Sequence, residues 1–269
     1  MGLPSQKLQE ISPELSRSPA KPRLQMATGW NRSFASCDDP PDRISQMNLT
    51  YVIPDIHGRY DLLSDALAGI AARSRGSGGS IITIGDYVDK GPQSREVIDR
   101  MLRGVTEGWR LITLKGNHDA MMVEALREPA RMASWMAKGG DAALASYGGD
   151  PAAVPQTHIA WLDQLQLMHV DAYRLYVHAG VDPEIPLDRQ SETTLMWKRY
   201  PRGFSSGFGE LHVVHGHDNF PDGPLLYEGR TNLDTLAWRT GRLTIGIFED
   251  DRPGGPVDFI VVRGPPAEG

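Results

Sequence analysis

Five apolar stretches of this chain end in residues that can hold a cation or pass a proton. "YVIPDIHG" delivers Asp55 and His57, "IITIGDYVDKG" delivers Asp86 and Asp89, and "LITLKGNHDA" delivers Asn117, His118 and Asp119. Further on, "RLYVHAG" carries His178 and "LHVVHGHD" carries His215 and His217. One such residue says little, because Asp, Asn and Gly are ordinary turn formers and a lone histidine at a strand end usually just bonds its own turn. Five strand ends in succession do not follow from composition. Together they make a mixed oxygen and nitrogen ligand set. It has too few carboxylates for a calcium cage, has no thiolates for a structural zinc, and suits manganese, iron or zinc. Six ligands exceed what one metal with an open position needs, whereas two metals sharing one carboxylate use them all.

The elements between these residues must bring them together. Asp55, Asp86 and Asn117 stand 31 residues apart, about one strand–helix–strand unit each time. "LTYVI", "IITIG" and "RLITLKG" read as strands. "RYDLLSDALAGIAAR" reads as a helix with Leu62, Leu63, Ala66, Leu67 and Ile70 inward, and "SREVIDRMLRGV" as one with Val97, Ile98, Met101, Leu102 and Val105 inward. A third helix begins at "AMMVEALRE" and stops at Pro129. Alternating strands and helices predict an α/β fold with parallel pairing, whose ligands collect beyond the carboxyl ends of the strands. Later strands are expected in "YRLYVHAG", "LHVVHGH", "RLTIGIFED" and "VDFIVV". Residues 49–264 read as one domain. Residues 1–48, rich in Pro, Ser, Arg and Asp, read as a disordered or loosely docked extension.

Bulk properties narrow the function. The chain has 269 residues and a net charge of −6, without the basic stripe that a nucleic-acid duplex would require. Its single cysteine, Cys37, fits a reducing compartment; with no apolar span and no secretory leader, the expected location is the cytoplasm. Two motifs mislead. "CDDPPDR" has the spacing of a cysteine phosphatase, but three aspartates would repel phosphate and two prolines remove amide donors. "GFSSG" has the spacing of a nucleophile elbow but lacks the flanking strand and helix, and reads as a mobile loop. The tryptophans at 135, 161, 197 and 238 are most simply anchors of core and loops, with Trp197 close enough in sequence to Arg199 to line a pocket.

The order "DIHG", "GDYVDKG", "GNHD", "HAG", "HGH" resembles the calcineurin-like metallophosphoesterases, and within them the bacterial branch of the phosphoprotein phosphatases. "GGDAALASYG" and "WKR" are also similar to segments of that branch. The resemblance covers about residues 49–250. It implies a two-sheet α/β sandwich with flanking helices and two divalent metals, manganese foremost, with iron or zinc as alternatives. Asp55 and His57 would hold the first metal, Asp86 would bridge, and Asn117, His178 and His217 would hold the second. His118 would be the general acid, oriented by Asp89, while Lys90 and Arg199 would contact phosphate and His215 would pack in support. The implied reaction is hydrolysis of a phosphomonoester by a hydroxide bridging the metals, on phosphoserine or phosphothreonine protein, with phosphotyrosine or a small phosphorylated molecule as further substrates. A bis(5'-nucleosyl)-tetraphosphatase is the alternative reading, and an inactive binding module the remote one. Three positions depart from the family pattern: Pro54 where Gly is usual, Lys90 where Arg is usual, and Asp218 where Thr is common. Lysine offers a compact charge in place of a two-pronged donor, and Asp218 adds negative charge beside an anion site.

Overall fold

The computed structural model describes residues 48–267, so the expected extension and the Cys37 motif lie outside the described residues, apart from Asn48. Ten strands are described: β1 (Leu49–Ile53), β2 (Gly79–Thr83), β3 (Trp109–Thr113), β4 (Met168–Val170), β5 (Arg174–Val177), β6 (His212–His215), β7 (Leu225–Leu226), β8 (Arg230–Asn232), β9 (Arg242–Glu249) and β10 (Asp258–Arg263). They form two five-stranded sheets, ordered β10-β9-β1-β2-β3 and β4-β5-β6-β8-β7.

Alternation along each strand sorts its side chains between layers. Tyr51, Ile53 and Ile81 face the helix side, whereas Val52 and Ile82 face the second sheet. That sheet answers with Tyr176 and Val214, and Val52, Ile82, Ile112, Tyr176, Val214 and Phe248 close the space between the sheets. The outer face of the second sheet is covered through Leu175, Val177, Val181, Leu195 and Val213.

Helices α1 (Tyr60–Ser74), α2 (Ser94–Leu102) and α3 (Asn117–Arg127) follow β1, β2 and β3. Helix α1 buries Leu62, Leu63, Ala66 and Ile70, as its period predicts. In α2 the inward face is Val97, Ile98 and Met101. Leu102, expected inside, is 42% exposed; it is the last helical residue, one 100° step beyond Met101, and Val105 packs from the following loop instead. Short helices α4 (Met132–Trp135), α5 (Asp141–Ser146) and α6 (Gln156–Asp163) complete the first layer, while α7 (Glu192–Trp197) and α8 (Ala237–Thr240) belong to the second half. The "GFSSG" segment is a loop as expected, but it is tethered: Arg230 Nε donates to Phe204 O at 2.7 Å and the Phe204 ring stacks on Tyr200.

The parallel pairing expected of the alternating strands and helices is found, and the later strands add antiparallel pairs. β1, β2 and β3 are parallel, as are β5, β6 and β8, but β9 pairs antiparallel with β1 and β10, and β4 and β7 are antiparallel edge strands. A strand returning after the last crossover needs only a short turn to pair antiparallel, which is the case for β9 and β10.

Candidate metal centre

Three of the five strands that supply candidate residues, β1, β2 and β6, are followed by a sharp bend. His57, Asp86, Asp89, Lys90 and His217 adopt φ of 46°, 54°, 73°, 68° and 62°, a left-handed conformation that costs non-glycine residues free energy. Backbone hydrogen bonds hold these bends in place: Ile56 N and His57 N both donate to Asp86 O, Gly58 N to Tyr87 O, and Gly91 N to His57 O. The loops after β1 and β2 are therefore one hydrogen-bonded unit. Pro54 does not disturb it; β1 still pairs through Ile53, and Asp55 is 2% exposed.

Two glycines allow the loops to close. A Cβ on Gly116 would lie 2.1 Å from Asp86 Oδ1, and one on Gly216 would lie 2.0 Å from Asp55 Oδ2. Helix α3 starts three residues earlier than expected, at Asn117, so Asn117 and His118 sit in its first turn. There His118 N donates to Asp86 Oδ1 at 2.9 Å.

Asp86 is the centre of the cluster. His57 Nε2 stands 3.3 Å from Asp86 Oδ2, and His178 Nε2 stands 3.5 Å from Asp86 Oδ1. The Nδ1 atoms of both rings face backbone carbonyls, Val88 O at 2.8 Å and Ile84 O at 2.9 Å. Only an N–H can satisfy a carbonyl, so Nδ1 carries the proton and Nε2 presents a lone pair. Burial pushes both histidines below their ordinary pKa, which favours the neutral ring. Burial alone would raise Asp86, but the surrounding imidazoles of His178, His118 and His57 and the Lys90 ammonium hold it well below the usual carboxylate range. Lone pairs on neutral rings thus face an ionised carboxylate. His178 Nε2 also faces Asn117 Oδ1 at 2.9 Å, and His217 Nδ1 faces the same oxygen at 3.1 Å. Such a convergence of acceptors is relieved by a cation, and the donor set fits divalent metals of the borderline kind.

Two overlapping groups could hold a metal, His57 with Asp86 and His118, and Asp86 with His178 and His217; each has its ligand atoms within 4.8 Å of one another. Asp86 belongs to both. Asp55 stands outside these groups, and both of its oxygens accept from His217 N at 3.2 Å. Burial, then the carboxylates of Asp234 and Asp86, push Asp55 well above its ordinary pKa. A cavity of about 220 Å³ opens on Asp55, His57, Asp86, Asn117, His118 and His217, with Lys90, Arg199 and Trp197 on its walls; His178 is fully buried behind it.

The two remaining roles have distinct surroundings. His118 Nδ1 meets Asp89 Oδ2 at 2.7 Å, which leaves Nε2 as its second hydrogen-bonding atom. Lys90 Nζ lies 3.1 Å from His57 Nε2 and 5.7 Å from the Trp238 ring. Arg199 Nη1 donates to Asp218 Oδ1 at 2.8 Å. His215 is removed from the cavity lining: its Nε2 faces Arg230 Nη1 at 2.9 Å, and burial lowers its pKa to about 3.

Three residues received no role at the site from the sequence, although Asp119 stands among the strand-end residues. Asp119, fully buried, accepts from Asp86 N, Tyr87 N and Gly116 N, and so fixes the two loops that carry Asp86 and Asn117. Its signal was a carboxylate at the third position of a helix, the reach-back residue of a capping box. Trp135 Nε1 donates to both oxygens of Asp89, at 2.9 and 3.0 Å. Asp234 is 2% exposed with Oδ2 unpartnered, and burial pushes its pKa up to about 6. It follows β8 as Asp55 follows β1, so the same strand-end rule would have found it had that three-residue strand been legible.

The model of the calcineurin-like phosphoesterases matches residues 49–261. Serine/threonine-protein phosphatase 2 of Escherichia coli K12 is 37% identical over 205 residues, covering 72% of this chain and 90% of that protein. A symmetrical bis(5'-nucleosyl)-tetraphosphatase of Pseudomonas fluorescens is 31% identical over 140 residues, covering 50% of this chain and 42% of that protein. Among solved structures, a protein serine/threonine phosphatase from Saccharomyces cerevisiae superposes with a TM-score of 0.56 at 12% identity, covering 82% of this chain and 81% of that one. A metallophosphoesterase from Sphaerobacter thermophilus gives 0.51 at 18% identity, over 81% and 89%. At those identities the likeness is one of fold.

Proposed function

The chain belongs to the calcineurin-like phosphoesterase family, metal-dependent hydrolases of phosphoric esters, and on that premise we propose that it is a protein phosphatase for phosphoserine and phosphothreonine. The observation that carries this reading is extent: the chain spans 90% of a serine/threonine-protein phosphatase but between 42% and 63% of the symmetrical tetraphosphatases it resembles. Asp55 and His57 would hold one metal and Asn117, His178 and His217 the other, with Asp86 contributing to both. Manganese is the proposed metal and the cytoplasm the proposed location. Bound there, two divalent ions would polarise the phosphoryl oxygens and acidify a water at neutral pH.

The chain's own residues do the rest. Lys90 and Arg199 face the cavity as cations for the phosphoryl oxygens. His118 gives the proton that the departing oxygen needs, from Nε2, because Nδ1 is held by Asp89. Asp89 fixes the tautomer. It is itself fully buried, and burial raises its pKa despite the hydrogen bonds from His118 and Trp135.

One observation favours the second reading. Trp197 lines the cavity at 40% exposure, and Lys138 Nζ lies 5.3 Å from its ring centre, a surface on which a nucleobase could stack. The deciding experiment is phosphate release by the manganese-loaded protein from phosphopeptide and from diadenosine tetraphosphate, with His118→Asn as control. Turnover of the peptide, lost in the variant, is the expected result. Cleavage of the dinucleotide alone would move the protein to the second reading.

A further inference from the structure

Arg199 is already engaged at the cavity wall. Its Nη1 donates to Asp218 Oδ1 at 2.8 Å, with the Arg199 side chain 57% and the Asp218 side chain 31% exposed. Asp218 is fixed by its backbone: its N donates to Gly216 O and its carbonyl accepts from Asn232 Nδ2, each at 2.6 Å. It also directly follows His217, so its position is as fixed as that of the candidate ligand. A water-exposed ion pair of this kind adds little to stability. What it does fix is charge: the cation that would meet an incoming anion has a carboxylate beside it, and a second carboxylate, Asp234, is buried nearby.

Resting on the phosphatase reading, we propose that Asp218 is a specificity-determining residue that holds the site to substrates with a single phosphoryl group and disfavours polyphosphate chains. The carboxylate acts on an anion in two ways. It orients Arg199, which helps every phosphate alike, and it repels negative charge in proportion to how much of it there is. Orientation therefore cancels when two ligands are compared on one protein, and repulsion does not. The ratio of affinities for a short and a long anion isolates the charge effect.

The test uses the full-length, manganese-loaded protein, with calorimetric Kd values for inorganic phosphate and for tripolyphosphate at low and physiological salt. Chelation of free manganese by tripolyphosphate is common to all variants and drops out between them. In Asp218→Asn, tripolyphosphate tightens relative to phosphate by about fivefold at low salt, the scale of removing one near-surface charge, and the gain shrinks as salt rises. Asp218→Glu, which keeps the charge, stays near the wild-type ratio. If Asp218→Asn moves both ligands by the same factor, or moves neither, the residue only positions Arg199 or does nothing, and the proposal is overturned. Phosphopeptide turnover measured on the same samples tests the phosphatase reading separately, since the binding ratio does not depend on catalysis.

Discussion

Trp135 Nε1 donates to both oxygens of Asp89, and Asp89 in turn holds His118 Nδ1. The indole is 1% exposed, so no water replaces it at that carboxylate without opening the core. Trp135→Phe keeps most of the packing and removes the donor. Outer partners of this kind are worth about 10-fold to 100-fold in activity, so kcat is expected to fall by about tenfold with KM nearly unchanged. Steady-state kinetics on a phosphomonoester check this; a rise in KM instead would place Trp135 in binding. Asp234 makes a prediction of opposite sign, in stability. Its folded pKa of about 6 lies above its ordinary 3.8, so ionising it costs the folded state free energy. The cost is absent below pH 3.8, grows through the interval and is complete above pH 6. In Asp234→Asn, Oδ1 can still accept from Leu236 N, while an N–H donor replaces the unpartnered Oδ2. The metal-free variant is expected to exceed the metal-free wild type by about 3 kcal/mol above pH 6, at 1.36 kcal/mol per pKa unit, and by nothing below pH 3.8. Urea denaturation across that range measures the difference, and a gain independent of pH would refute it.

The bends after the strands, rather than the strands, set the site. A Cβ on Gly216 would fall 2.0 Å from Asp55 Oδ2, a contact that neither loop can open without moving a candidate ligand. Gly216→Ala is therefore expected to lower metal content from two ions per chain to one or fewer, read by elemental analysis after dialysis, with far-UV circular dichroism unchanged. Full metal content in that variant would show that Asp55 tolerates displacement. These bends were legible in the sequence because each follows an apolar run long enough to recognise: "LTYVI" became β1 without a shift of boundary, and "RLTIGIFED" became β9 with its end one residue early. Strand β8 is only three residues, and β7 two, too short for periodicity to register. That is why Asp234 was missed while Asp55 was found. The roles of Asp119 and Trp135 across the loops were hidden for another reason. Their roles lie in long-range hydrogen bonds, Trp135 to Asp89 across 46 residues and Asp119 to Asp86 N across 33, and no local pattern encodes these. Strand direction was also out of reach for β9 and β10, because alternation of apolar residues is the same in either sense.

At the scale of the whole molecule, the candidate ligands come from both sheets. Asp55, His57, Asp86 and Asn117 follow β1, β2 and β3, whereas His178 and His217 follow β5 and β6. The two sheets meet through an apolar layer that includes Val52, Ile82, Tyr176 and Val214, and the acceptor cluster closes one edge of that layer. Where the sheets converge, His178 Nε2 faces both Asp86 Oδ1 and Asn117 Oδ1, acceptors that a cation would draw together. Metal binding should therefore stabilise the packing of one sheet on the other as well as each loop. An ion present at a hundred times its Kd contributes about 2.7 kcal/mol to folding. For a domain of this size that corresponds to about 5–10 °C in Tm. Chelation of the manganese-loaded protein is expected to lower Tm by at least about 5 °C, and manganese should restore it. Asp86→Asn should remove most of this dependence, because a neutral amide cannot bridge two cations as a carboxylate does. A Tm indifferent to chelator would mean that the ligands do not couple the sheets. A Tm that responds equally in Asp86→Asn would move the bridge away from Asp86. The two outcomes separate a site that merely sits at the sheet edge from one that holds the sheets together.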